Sequence, residues 1–155
     1  MNLVVEKMHR HGPFLVIAPL STLAHWQREF MNWTGLNTIV YHGTAEDRKH
    51  IRELEFAYPK DRPGHVPVNS HYLKRCGAHS TNGPWMVTVV VTTPEMAVCD
   101  DSRELMAVKW EVLIVDEAHR MKSQTSRLGV SLRNSGFTFR HKILLTGTPI
   151  QNEVG

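Results

Sequence analysis

The residues best suited to chemistry stand in one string, Val112-Leu-Ile-Val-Asp-Glu-Ala-His119. An apolar run leads straight into two carboxylates, Asp116 and Glu117, with the imidazole of His119 just beyond. A strand buried on both faces is rigid and holds such acids still at its tip. Asp116 is then placed to hold Mg²⁺, through water, and Glu117 to orient and polarise an attacking water as a general base. His119 is expected beside both the reacting group and the next motif. An acidic pair after a core strand is common by itself. The whole string, with its strand, is much rarer.

A second string, Leu144-Leu-Thr-Gly-Thr-Pro-Ile-Gln-Asn152, follows another apolar run. Thr146 and Thr148 offer hydroxyls, Gly147 allows close backbone approach and Pro149 stiffens the turn. Gln151 and Asn152 are placed to cap a helix or reach a partner. An apolar strand ending in Asp-Glu is the Walker B arrangement, in which the metal bridges the β- and γ-phosphates of ATP.

These residues need elements to place them. Residues 14–18, 38–41, 86–91, 112–115 and 142–145 are short apolar runs that read as five strands. Between them, Leu23, Trp26, Phe30 and Trp33 recur at helical spacing, so 23–33 reads as an amphipathic helix with both tryptophans in the core. Ser21 or Thr22 is expected to cap it. Charged residues around Ile51, Leu54 and Phe56 make 45–56 a surface helix, and Thr93-Pro94-Glu95 reads as a capped helix start. Strands alternating with helices imply a parallel α/β sheet with right-handed crossovers. In such sheets ligands bind beyond the carboxyl ends of the strands, and the polar motifs fall there. Residues 59–84 break the rhythm, with four prolines, three glycines and three histidines, and are expected to form a flexible surface insertion. His65, His71, Cys76 and His79 within it match no standard zinc spacing.

Composition agrees. The 155 residues are 41% hydrophobic and 21% charged, with two cysteines and no CxxC pair. That is the profile of a globular domain, and no run approaches the ~18 apolar residues of a membrane helix. A net charge of +3 with pI near 9.0 permits nucleic-acid contact without demonstrating it. No H-E-x-x-H string exists, which removes a zinc metalloprotease.

The motifs, in their order, resemble the Snf-type chromatin-remodelling ATPases of helicase superfamily 2, and most of all their chromodomain-helicase-DNA-binding branch. Gly12-Pro-Phe-Leu-Val-Ile-Ala-Pro-Leu-Ser-Thr-Leu23, with Trp26 and Glu29-Phe30, looks like motif Ia; Tyr41-His-Gly43 looks like the next strand and turn. Thr92-Thr-Pro-Glu-Met96, Asp116-Glu-Ala-His-Arg-Met-Lys122 and 144–152 look like the following motifs, the last two being motifs II and III. The resemblance implies a RecA-like α/β three-layer sandwich with a mostly parallel sheet, residues 1–155 being part of its first lobe from motif Ia to motif III. It implies ATP and Mg²⁺ as cofactors, with Asp116 on the metal and Asp116, Glu117 and His119 in catalysis. It places DNA-backbone contacts at Pro19, Ser21, Thr22, Thr92 and Thr93, and coupling to the second lobe at Thr146, Gly147, Thr148, Gln151 and Asn152. Double-stranded DNA and nucleosomal histones are the implied partners, the nucleus the implied compartment, and no membrane is involved.

The chain departs from that pattern in one respect. It holds no G-x-x-x-x-G-K-[ST] loop and no Gly-Lys dipeptide, so the phosphate-cradling loop, its strand and the second lobe are expected to lie outside it. Alone, the chain is expected to bind ATP poorly and hydrolyse it negligibly, and the edge left by the missing strand to limit its solubility. Two other readings remain: a truncated non-catalytic pseudo-ATPase or interaction module, and a DEAH-type RNA helicase, whose motif III is usually Ser/Thr-Ala-Thr where this chain has Thr-Gly-Thr-Pro.

Overall fold

A computed structural model describes residues 12–34, 36–56, 87–100, 103–121, 127–133 and 136–147. Five strands, β1 (Phe14–Ile17), β2 (Thr38–Tyr41), β3 (Val89–Thr92), β4 (Lys109–Val115) and β5 (Thr138–Leu144), form one sheet in the order β2-β3-β1-β4-β5. Every pairing is parallel, with Phe14 level with both Val89 and Val112. β1 and β4 are wholly or almost wholly buried along their apolar stretches. That explains why they read as continuous apolar runs rather than alternating ones.

The sheet has a core on each face. One holds Phe14, Val16, Val89, Val91, Val112 and Ile114 under Leu23 and Phe30 of helix α1 (Leu23–Thr34). The other holds Leu15, Ile17, Val90, Leu113 and Val115. Phe56, Ala97, Leu105 and Leu128 cover it from the turns and short helices α2 (Ala45–Ile51), α3 (Pro94–Ala97), α4 (Arg103–Ala107) and α5 (Arg127–Arg133). Helix, sheet and helix make three layers, as expected.

Several details differ from the sequence reading. β3 begins at Val89, and β5 reaches back to Thr138. A π-helical turn over Arg52–Phe56 finishes the helix expected at 45–56; it brings Phe56 inward against the Tyr41 ring, 5.6 Å between centroids. Neither Ser21 nor Thr22 caps α1. The chain enters it through a 3₁₀ turn, Leu20–Thr22, and the Thr22 hydroxyl donates back to the Pro19 carbonyl at 2.9 Å. Trp33 is not a core residue but 73% exposed, its indole N–H donating to Glu29 at 2.8 Å. The expected insertion at 59–84 lies outside the described residues.

Candidate functional site

The carboxylate turn is anchored on both sides. The Asp116 amide donates to the Ile17 carbonyl at 2.8 Å, continuing the β1–β4 ladder. The Leu145 amide donates to Val115, and the Ala118 amide returns to the Leu145 carbonyl, each at 2.8 Å. Between these anchors Glu117 takes φ +51°, the left-handed region that a non-glycine residue rarely enters. The reversal turns its carboxylate toward the tip of β5. Glu117 Oε2 lies 2.9 Å from His119 Nδ1, and the same nitrogen lies 3.4 Å from the Thr146 hydroxyl. Glu117, His119 and Thr146 are therefore one constellation across the ends of two neighbouring strands, with Asp116 next to it in the turn.

Asp116 is held separately. Its Oδ1 accepts from the Glu117 amide at 2.9 Å, and its Oδ2 accepts from the indole N–H of Trp26 at 3.0 Å. Trp26 comes from α1 and stacks on Phe30, 5.8 Å between centroids. Sequence reasoning placed Trp26 only in the core; nothing in the pattern signals a bond across 90 positions.

Beside these carboxylates opens a cavity of about 610 Å³ whose lining includes Pro19, Leu20, Pro94, Glu95, Asp116 and Arg127. The segments expected at the DNA backbone and those expected at the nucleotide thus share one mouth, beyond the carboxyl ends of β1, β3 and β4. Within that group the hydroxyls divide. Ser21 is exposed. Thr92 is fully buried and donates to the Tyr41 carbonyl at 2.7 Å. Thr93 is 3% exposed and caps α3 by accepting from the Met96 amide at 3.3 Å, with Pro94 at the first helical position as expected. A β-carbon at Gly147 would stand 3.4 Å from Glu117 Oε1, an ordinary contact, so that glycine is not demanded by Glu117. Thr148, Gln151 and Asn152 lie outside the described residues, as do His65, His71, Cys76 and His79.

The donor set suits Mg²⁺. That ion binds hard oxygens, takes one or two carboxylates and keeps several waters for itself and a phosphate. Asp116 and Glu117 offer such oxygens at a solvent-reached strand end, and each carboxylate oxygen of Asp116 retains a further lone pair. Among the described residues no three His, Cys, Asp or Glu side chains gather as a closed cage would require.

A family model described as the SNF2-related domain matches residues 2–155. The chain is 43% identical over 144 residues to human chromodomain-helicase-DNA-binding protein 8, and 42% identical over 144 residues to mouse chromodomain-helicase-DNA-binding protein 6. Each match covers 93% of this chain and 5% of the relative, so the chain spans about one-twentieth of those proteins. In fold it is similar to the Sulfolobus solfataricus SWI2/SNF2 ATPase core in complex with dsDNA. That match has TM-score 0.63 and 24% identity, covering 97% of this chain and 24% of that one. The five-stranded parallel sheet is accordingly RecA-like, and the chain belongs to the SNF2-related domain family.

Proposed function

We propose that this chain is the motif Ia to motif III portion of the first lobe of an ATP-dependent DNA translocase that moves on double-stranded DNA and repositions nucleosomes in the nucleus. The observation that carries the reading is the constellation at the tips of β4 and β5, with Glu117 2.9 Å from His119 and Thr146 closing the far side. On this reading Asp116 holds Mg²⁺ through water and Glu117 activates the water that attacks the γ-phosphate of ATP. His119 links the state of Glu117 to motif III, whose Thr146, Gly147, Thr148, Gln151 and Asn152 are the residues proposed to couple to the second lobe. ATP and its metal supply the phosphoryl group and the charge neutralisation; the residues here hold and orient.

The DNA contact follows the exposure pattern. Pro19, Ser21 and Thr22 lie on an accessible turn after β1, and hydroxyls and amides there suit phosphates, which carry no sequence information. Thr92 and Thr93 are buried, so their role is to shape the neighbouring strand end rather than to touch the backbone with their hydroxyls. The relatives' names support DNA and chromatin as the setting.

The test is the DNA-stimulated ATPase and nucleosome sliding of the full-length protein carrying Glu117→Gln. Both fall by roughly 10²–10⁴-fold if Glu117 is the general base, while nucleosome binding persists. Undiminished ATPase activity in that variant removes the reading.

A further inference from the structure

The assignment of Asp116 to the metal leaves a question open: what fixes its carboxylate. The last torsion of an aspartate is soft and broad, and a carboxylate free to rotate makes a poor outer partner for an ion that demands near-ideal octahedral geometry. Here both oxygens are held, Oδ1 by the Glu117 amide at 2.9 Å and Oδ2 by the Trp26 indole at 3.0 Å. The two donors come from different elements, one from the turn itself and one from α1.

We propose that Trp26 is a positioning residue for the metal-binding carboxylate, its indole N–H fixing the plane of Asp116 for a divalent cation; this rests on the reading of Asp116 given above. Three features favour tryptophan for the task. The indole is a donor only, so it accepts nothing in return and cannot invert the bond. It is neutral, so it orients the carboxylate without cancelling the charge that attracts the cation, as a lysine or arginine would. Its ring is pinned, stacked at 27° on Phe30, itself 5% exposed in the core beneath α1. Trp33, on the same helix but 73% exposed and bonded to Glu29, is the natural control.

The experiment uses the full chain of 155 residues, ¹⁵N-labelled, with MgCl₂ alone added stepwise and the amide and indole N–H signals followed. The Trp26 indole signal, assigned through its contact with Phe30, moves as Mg²⁺ is added and moves again in Asp116→Asn, while the Trp33 signal stays. Trp26→Phe, which keeps the stack and removes the donor, weakens Mg²⁺ binding about 10- to 100-fold, the usual effect of losing an outer partner; Trp33→Phe leaves it unchanged. Equal Mg²⁺ affinity in wild type and Trp26→Phe overturns the inference and leaves Asp116 as the metal carboxylate. A Mg²⁺ response that survives Asp116→Asn overturns the metal reading itself, and the inference with it. If Trp26→Phe does not fold, the Asp116→Asn spectrum decides, because a Trp26 indole signal indifferent to that substitution ends the proposal.

Discussion

Glu117 and His119 meet at 2.9 Å across a turn of which Glu117 is itself the left-handed residue, and the shared ring nitrogen also lies 3.4 Å from Thr146 on the next strand. Glu117, His119 and Thr146 are thus joined through one ring nitrogen. Groups that act through a common contact are not additive. In the full-length protein, His119→Ala should lower DNA-stimulated ATPase activity, by less than Glu117→Gln. The double variant should be no worse than Glu117→Gln alone. Steady-state rates of the three variants check this, and strictly multiplicative losses would contradict a shared pathway through Glu117.

The positive φ of Glu117 makes a separate prediction about stability. A β-carbon in the left-handed region costs about 1–2 kcal/mol, and glycine escapes that cost. At most helix and strand positions glycine is the weaker choice by ~0.5–1 kcal/mol. Here the order should reverse, with Glu117→Gly more stable than Glu117→Ala by about 1 kcal/mol and Glu117→Val least stable of all. Urea midpoints of the three variants decide it. Comparing Gly with Ala removes the effect of the lost Glu117–His119 contact, which both share.

How much of this could be seen in the sequence depended on whether a feature is local. β1, β2 and the end of β4 are runs of apolar residues, and a parallel sheet buried on both faces demands such runs. The turn residues at strand tips followed, since that is where a parallel sheet presents ligands. β5 was legible only at its apolar end. Its first five residues, Thr138-Phe-Arg-His-Lys, lie at the sheet edge and need no apolar pattern, and Ile143 and Leu144, expected in a buried strand, are exposed at that edge as well. Trp33 was misplaced because periodicity reports an average face, not the exposure of one side chain, and this indole is bonded to Glu29 one turn back on its own helix. Two site features were beyond reach. The Trp26–Asp116 bond spans 90 positions and exists only through the packing of α1 on β1 and β4. The left-handed Glu117 runs against the preference of its own side chain, so nothing local announces it.

Away from the site, the turn after β2 offers a pH test. Thr44 caps α2 by accepting from the Asp47 amide at 3.2 Å, while Asp47 accepts from the Thr44 amide at 2.9 Å, a reciprocal capping box. The Thr44 hydroxyl, and then the Thr44 amide, hold the Asp47 carboxyl below its ordinary value. A carboxyl depressed in the folded state contributes stability that is fully present above its unfolded value, about pH 3.9. That contribution is lost as pH falls through the lower, folded value. The gap between wild type and Asp47→Asn should therefore be widest near neutrality and close only below about pH 4. Thermal midpoints across pH 3–7 read this; a gap independent of pH over that range would show the depression to be absent. Gly43→Ala should also weaken the turn, since φ is +118° and a β-carbon would lie 2.8 Å from Asp47 Oδ2.

The tryptophans of the two faces should separate cleanly in stability. Trp110 is 1% exposed on β4, and its indole N–H donates to the Leu105 carbonyl at 2.8 Å, locking α4 to the sheet. Truncating a buried tryptophan to alanine costs about 3–5 kcal/mol, enough to consume much of the ~5–15 kcal/mol available to a small domain. Trp110→Phe is the gentler probe: it keeps most of the ring but strands the Leu105 carbonyl, a loss of about 1–3 kcal/mol. Trp33→Ala, on an exposed turn, should stay within about 0.5 kcal/mol of wild type. Urea unfolding of the two variants gives the comparison directly. Equal losses would mean that Trp33 is buried after all.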